Sequence, residues 1–167
     1  MNPLEILRGM WITFRTMFEP PVTFQYPEVK RPVRERFKGR HELKRFQNGL
    51  EKCIGCALCA AACPADAIFV EASENTDDER YSPGERYAST YEINMLRCIF
   101  CGYCEDACPT EAIVLEHNYE MSFTDRRSAV YTKEMLIVPV QEGGKATPQK
   151  VPVGMYDKAI PFMVNPK

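Results

Sequence analysis

Eight cysteines are the residues of this sequence with the clearest capacity for chemistry, and they form two copies of one pattern. Each copy reads C-x2-C-x2-C-x3-C-P, and the second follows the first at an offset of 45 residues. Three closely spaced thiolates can hold three corners of an iron–sulfur cubane, whereas the fourth, one helical turn further on, points away. The pattern therefore predicts two [4Fe–4S] clusters, with the fourth cysteine of each copy reaching the other cluster.

The predicted ligand sets are crossed between the two copies, and all eight cysteines are predicted metal ligands. The set for cluster A is Cys53, Cys56, Cys59 and Cys108. The set for cluster B is Cys98, Cys101, Cys104 and Cys63. Because every iron would then have a protein ligand, none stays open for a substrate. This favours electron transfer over catalysis, and no catalytic residues are expected on the chain.

Other uses of eight cysteines fit the spacing less well. Two zinc sites would also take eight thiolates, but zinc ribbons use separated C-x2-C pairs. Disulfides need an oxidising compartment, and the charges of Glu5, Arg8 and Arg15 exclude a signal peptide in the apolar N-terminal region. No apolar run approaches the roughly 18 residues of a membrane span. The C-x3-C-x2-C spacing of radical enzymes that cleave S-adenosylmethionine is absent as well.

The duplication extends beyond the cysteines, since residues 52–71 and 97–116 are identical at half of their aligned positions. It predicts an α+β fold, a two-cluster bacterial ferredoxin-like module of pseudo-two-fold β-α-β repeats. Strands are expected at 50–52, 67–72, 91–97 and 112–116, and short helices at 57–63 and 102–108. Residues 73–89 are polar and predict an inserted surface loop.

Several single residues receive predictions of their own. Gly55 and Gly102 have no Cβ, which permits a positive φ and close approach of the backbone to inorganic sulfide. His41 and His117 have no ligand-like pattern around them, so both are predicted to be ordinary surface or loop residues. The pocket lining is expected from apolar residues of both copies: Ile54, Leu58, Ile68, Ile99, Tyr103 and Ile113.

Residues 3–18 predict an amphipathic helix, with Asn2 as its cap and Glu5 completing a capping-box pattern. Its main apolar residues recur at spacings of three and four: Leu4, Leu7, Trp11, Phe14 and Phe18. Docking of this face on a partner or in the membrane interface is expected, with packing on the chain's own core as the alternative. Two prolines at positions 20 and 21 end the helix.

The charged residues are distributed unevenly along the chain. Residues 1–50 are rich in Lys and Arg and residues 51–116 in Asp and Glu, although the whole chain carries a net charge of only −2. The basic run predicts a solvated face, or contact with an acidic partner or anionic lipid, and not with nucleic acid. We expect three parts: 1–49 as helix and basic arm, 50–118 as the ferredoxin-type domain, and 119–167 as an extended C-terminal arm that wraps partner subunits.

The sequence resembles the ferredoxin-type subunits of NADH-quinone oxidoreductase, respiratory complex I, called subunit I in bacteria. The resemblance rests on TFQYPE at 23–28, GRHEL at 39–43, the two cysteine stretches 51–68 and 97–113, and YTKEML at 131–136. It implies an electron-relay subunit of this proton-translocating enzyme, with the eight cysteines as ligands. It also implies a peripheral position on the cytoplasmic face of the bacterial plasma membrane.

The resemblance further implies partners, namely the cluster-bearing subunits of the hydrophilic arm and the membrane-arm subunit at the quinone site. The N-terminal helix would lie at the membrane surface. The alternatives are a ferredoxin-type relay of a membrane-bound hydrogenase or formate-linked complex, and a freely diffusing soluble ferredoxin.

Overall fold

The computed structural model of this chain describes residues 3–150, which fall into two compact units that divide between Arg34 and Glu35. The first unit contains helix α1, Pro3–Thr16. The second contains, in chain order, β1 His41–Leu43, α2 Leu58–Ala61, β2 Ile68–Glu74, β3 Arg86–Asn94, α3 Tyr103–Asp106, β4 Ile113–Leu115, β5 Val130–Thr132 and α4 Lys133–Leu136. The fold is therefore a small α+β structure with a helix near its N-terminus, as predicted.

Helix α1 begins at Pro3, whose fixed φ suits the first turn, and has Glu5 in its first turn and Arg15 in its last, as the helix dipole favours. None of the α1 residues is buried. The apolar stripe is present, and the rings of Trp11 and Phe14 lie 6.0 Å apart along it. The predicted cap, Asn2, lies outside the described residues. No helix among residues 3–150 is long and apolar enough to cross a membrane.

The second unit is built on two antiparallel sheets. Strands β1 and β4 form one, with His41 opposite Leu115 and Leu43 opposite Ile113. The other has the order β2-β3-β5, and a β-bulge between Glu71 and Ala72 interrupts its longest pairing. Helices α2 and α3, one turn each, pack against one another and follow the two cysteine loops. The boundaries predicted at residues 49 and 118 fall inside this unit, and the three-part division stays a prediction.

The strand predicted at residues 50–52 is not formed, and this part of the prediction was wrong. Asn48 and Gly49 make a tight turn in which the N–H of Phe46 bonds the carbonyl of Leu50 at 2.8 Å. Gly49 has a φ of +92°, which its lack of a Cβ allows. The turn leaves a single bridge between Arg45 and Glu51, while the strand of this half lies earlier, in β1.

The surface loop predicted at residues 73–89 is shorter than expected, because β2 and β3 extend into it from both ends and leave residues 75–85 as the connection. The intervening turn folds inward and buries Arg80 and Ser82. Asn75 makes this possible, since its side-chain amide donates to Ser82 and Gly84 and its oxygen accepts from the N–H of Tyr81. A loop rich in polar residues can enter the interior when its polar groups satisfy one another.

The core of the second unit is small and includes sulfur. Buried side chains from β1, β3, β4, β5 and α4 form one apolar cluster, and Cys59 and Cys104 belong to it. Tyr91, Ile93 and Ile113 are among its largest fully buried members. The two cysteines lie on α2 and α3, so the short helices deliver thiols to the centre of the fold.

A buried ion pair ties the C-terminal part of this unit to the approach of the first cysteine loop. Lys133 Nζ lies 2.8 Å from Glu51 Oε2, and both side chains are almost fully buried. The same ammonium donates to the carbonyl of Ala88 at 2.6 Å. It also lies 5.4 and 5.2 Å from the ring centres of Tyr81 and Tyr87, which stack on each other. Its charge is therefore compensated on several sides.

Replacing Lys133 by Met should destabilise the chain, because it leaves the Glu51 carboxylate buried without its cation. Breaking a buried pair in this way costs about 3–5 kcal/mol. We expect Lys133→Met to lower the free energy of unfolding by about 3 kcal/mol in guanidinium denaturation of the full chain. Adding Glu51→Gln should restore part of the loss, and Lys150→Met, at a side chain 84% exposed, should change it by under about 0.5 kcal/mol. Equal effects of the two lysine variants would contradict this.

Candidate iron–sulfur centre

The first cysteine loop borders a small recess that opens to solvent. Four of its lining residues are cysteines, namely Cys53, Cys56, Cys59 and Cys108. The structure thus brings together the set predicted for cluster A, including the one member from the other half of the duplication. That these thiols bind iron stays a prediction, but their position around a single recess is what such binding requires.

The remaining walls of this recess are mainly apolar, and they include Ile54, Val70 and Ile113. Ile54 and Ile113 were predicted to line a pocket, whereas Ile68 packs against the core without lining this recess. Leu58, Ile99 and Tyr103 were expected to exclude water, and this was wrong, because all three are exposed. Leu58 and Tyr103 each precede a buried cysteine on a short helix, where neighbouring residues point in directions about 100° apart.

The second group of cysteines also combines both halves of the duplication. Burial raises the pKa of the Cys98 thiol against the opposing N–H of Phe100, and the charges of nearby Cys63 and Cys101 raise it further. Burial raises the pKa of Cys104 to about 12, with smaller contributions from Cys98 and Cys59. Cys63 therefore lies near the second loop, as predicted for cluster B. Cys104 has neighbours in both groups, so the two sites meet at Cys59 and Cys104.

The backbone around both sites has the same geometry. Three pairs of residues at the 45-residue offset have a positive φ: Gly55 and Phe100, Ala57 and Gly102, Asp66 and Glu111. Their left-handed turns direct N–H groups at sulfur, so Ala67 donates to Cys63 at 3.4 Å and its counterpart Ala112 to Cys108 at 3.2 Å. The predicted positive φ of Gly55 and Gly102 is confirmed. At Gly102 a Cβ would also collide with the side chain of Lys38.

The thiols of the first recess differ in acidity. Burial raises the pKa of Cys53 to about 11 and also raises that of Cys59. Burial acts in the same direction on Cys108, but the N–H groups of Ile113 and Ala112, with Thr110, outweigh it and lower the pKa. Because thiolates are the ligands, cluster binding must displace protons from the buried thiols. Cys108 therefore gives up its proton more readily than Cys53 or Cys59.

Two candidate functional residues were not predicted from the sequence. His41 was predicted to be a surface or loop residue, and this was wrong, because it is 1% exposed and its Nε2 lies 3.7 Å from Cys98 Sγ. Burial lowers the pKa of His41 to about 4. Tyr91 is equally buried, and its hydroxyl lies 3.3 Å from Cys59 Sγ. Only the alternation of inward residues along β1 and β3 could have indicated them.

The arrangement fits a cluster better than a single ion. Among residues 3–150, no three His, Cys, Asp or Glu side chains are placed to hold one metal ion. Thiolates that bind the corners of a cubane stand further apart than thiolates that share one ion. Four thiols around one recess, the apolar walls of that recess and backbone N–H groups directed at sulfur together match a four-iron cluster. All eight cysteines are free of disulfides.

Comparison with known proteins agrees with this geometry. Residues 52–120 match the family model described as a 4Fe-4S dicluster domain, so this part of the chain is an iron–sulfur domain of the ferredoxin type. The domain type therefore predicts iron rather than zinc.

Among solved structures, a chain of the membrane-bound sulfane sulfur reductase (MBS), an archaeal respiratory membrane complex, is similar at 29% sequence identity. The TM-score is 0.47, and the match covers 70% of this chain and 55% of that one. The present chain thus spans just over half the length of its relative.

The crossed ligand sets can be tested with single serine variants. We expect Cys59→Ser and Cys108→Ser to perturb the same cluster, because both thiols line one recess, and Cys63→Ser to perturb the other. Low-temperature EPR of the reduced, anaerobically isolated protein would separate the two signals. If Cys59→Ser and Cys63→Ser altered the same signal, the crossed assignment would be wrong.

Proposed function

We propose that this chain is the electron-relay subunit of an NADH-quinone oxidoreductase and carries single electrons through two [4Fe–4S] clusters toward the quinone-reducing end. The observation that carries the proposal is the recess lined by four cysteines from both halves of the duplication, within a 4Fe-4S dicluster domain. With four thiolates for each cubane, neither cluster offers an open iron, so transfer of electrons is the chemistry left to it. NADH and quinone would bind to other subunits.

The meeting of the two sites in the core supports rapid transfer between the clusters. Cys59 and Cys104 are both buried, and each comes from one of the two helices that pack together. An electron on one cluster would therefore reach the other through protein interior rather than through water. Exposed apolar side chains flank the loops on the outside, namely Leu58, Ile99 and Tyr103, and they offer a surface on which neighbouring subunits could dock.

Helix α1 supports a place in an assembly. Its apolar stripe is exposed, with Trp11 at 66% and Leu7 at 62%. Single exposed apolar residues are common on proteins, but a continuous stripe marks an interaction surface. We propose that α1 lies against the membrane-arm subunit and the membrane interface, which gives the subunit a peripheral position on the cytoplasmic face.

Two other functions remain candidates under the same cluster chemistry. A relay subunit of a membrane-bound hydrogenase or formate-linked complex would share the cysteine pattern. A freely diffusing ferredoxin would too, although it has no use for an exposed amphipathic helix. Iron and acid-labile sulfide should approach about eight of each per chain in all three cases.

The experiment that separates these functions is purification of the native assembly through a tag on this chain. The proposed function predicts co-purified flavin and NADH-dependent quinone reduction. Nickel in place of flavin would favour the hydrogenase relay. A soluble monomer that reduces added enzymes at high rate would favour the ferredoxin.

A charge on the apolar face of α1 should weaken assembly without disturbing the clusters. We expect Trp11→Glu to reduce the fraction of this chain in the membrane pellet by at least about fivefold, because burying an unpaired carboxylate costs several kcal/mol. Thr16→Glu is the matched control, since residue 16 lies on the opposite side of the helix and should have little effect. Equal membrane fractions for both variants, with unchanged cluster EPR, would contradict a docking role for this face.

A further inference from the structure

In each of the two cysteine groups, one sulfur lies beside a buried polar side chain. This side chain comes from outside the cysteine loops. The Tyr91 hydroxyl lies 3.3 Å from Cys59 Sγ in the first group. His41 Nε2 lies 3.7 Å from Cys98 Sγ in the second group. Tyr91 is supplied by β3 and His41 by β1, so each of the two sheets provides one such side chain.

The duplication does not explain these two residues. The position related to Tyr91 by the 45-residue offset is Phe46, and the position related to His41 is Arg86. Neither Phe46 nor Arg86 repeats the chemistry of its counterpart. The backbone donors recur in both halves, whereas these side-chain donors are different in kind, a phenol on one side and an imidazole on the other.

The direction of each hydrogen bond follows from the sulfur. A thiolate that binds iron carries no proton, so it can only accept. Tyr91 must then donate its O–H to Cys59. A neutral imidazole has a single N–H, and this proton must be on Nε2 if His41 is to bond Cys98.

The surroundings of His41 select the same tautomer. Nδ1 of His41 is buried and has no hydrogen-bond partner within residues 3–150. A proton on Nδ1 would therefore be an unpaired buried donor, and it would turn the Nε2 lone pair toward a negatively charged sulfur. Both effects are unfavourable, whereas the Nε2–H form avoids them. The ring of Phe100, 5.6 Å away between centres, and the pairing of β1 with β4 hold the imidazole in place.

We infer that Tyr91 and His41 are positioning residues that each donate a hydrogen bond to one cluster thiolate, and that they set the reduction potentials of the two clusters separately. Reduction adds negative charge to the cluster and its sulfurs, so a donor at sulfur stabilises the reduced form more than the oxidised form. The inference rests on cluster binding by these cysteines, as in the proposed function. It does not depend on which respiratory complex contains the chain.

Redox titration followed by EPR tests the inference at both sites in the assembly isolated through the tagged chain. Tyr91→Phe removes only the hydroxyl, and His41→Leu removes the imidazole N–H. At a fixed potential, each variant should lower the reduced-to-oxidised ratio of its own cluster by about threefold to tenfold, the equivalent of one hydrogen bond. The other cluster should titrate as in wild type. His41→Gln, which retains an N–H donor, should restore part of the change.

Matched controls are present in the chain. Tyr87→Phe changes a tyrosine of the same strand whose ring stacks on Tyr81, and it should leave both titrations unchanged. His117→Leu should also be silent, since His117 Nε2 lies beside the Glu35 carbonyl. If Tyr91→Phe and His41→Leu shifted the same cluster, or neither shifted any, the inference would be overturned.

If a variant loses its cluster, its potential cannot be measured, so a measurement on the wild-type protein is also needed. The chain has two histidines, so labelling with ¹⁵N-histidine gives a simple spectrum in a reconstituted full-length chain. Hyperfine spectroscopy of the reduced second cluster should detect one histidine nitrogen, and His117→Leu should leave that coupling in place. Absence of any histidine coupling in wild type would overturn the assignment of His41. Iron and sulfide far below about eight per chain would instead count against the proposed function.

Discussion

The arrangement of this protein depends on sulfur from one half of the duplication entering the site of the other. Cys108 lines the recess formed by the first cysteine loop, and Cys63 lies near the thiols of the second. A duplicated sequence does not have to fold as one body, because each copy could close on itself. Because each half contributes one cysteine to the site of the other half, the two copies do not fold separately. Cys59 and Cys104 are consequently buried together, and they take the place that aliphatic side chains hold in a larger core.

Symmetry of the backbone and asymmetry of the side chains coexist in the two sites. Left-handed residues and N–H donors recur at the same offset, although glycine occupies different slots in the two halves. Ala57 and Phe100 adopt a positive φ like their glycine partners, at +58° and +54°. The turns are therefore imposed by the path of the chain around sulfur, and the side chains that approach from the sheets are free to differ. Duplication supplies two similar sites, and those side chains give each site its own electrostatic environment.

Much of this could be predicted from local sequence patterns. Cysteine spacing indicated the cluster chemistry, the repeat indicated the paired helices and exit strands, and helical periodicity indicated α1. Those features depend on neighbours within a few residues. The burial of Arg80 in the inward turn and of His41 in β1 could not be predicted in this way, because Arg80 pairs with Gln149 and β1 pairs with β4, both distant in sequence. His41 pairs across the sheet with Leu115, and nothing near residue 41 shows that a cysteine loop will cover it.

Because β1 pairs with β4 and β5 pairs with β3, the cluster-binding part of the chain is not easily separated from its flanking segments. A fragment limited to residues 52–120 would lack both outer strands, and β3 and β4 would present unpaired edges that invite association with other chains. It would also lose His41, and with it the imidazole beside Cys98. Transplanting this pair of sites into another protein would therefore mean transplanting the flanking segments as well.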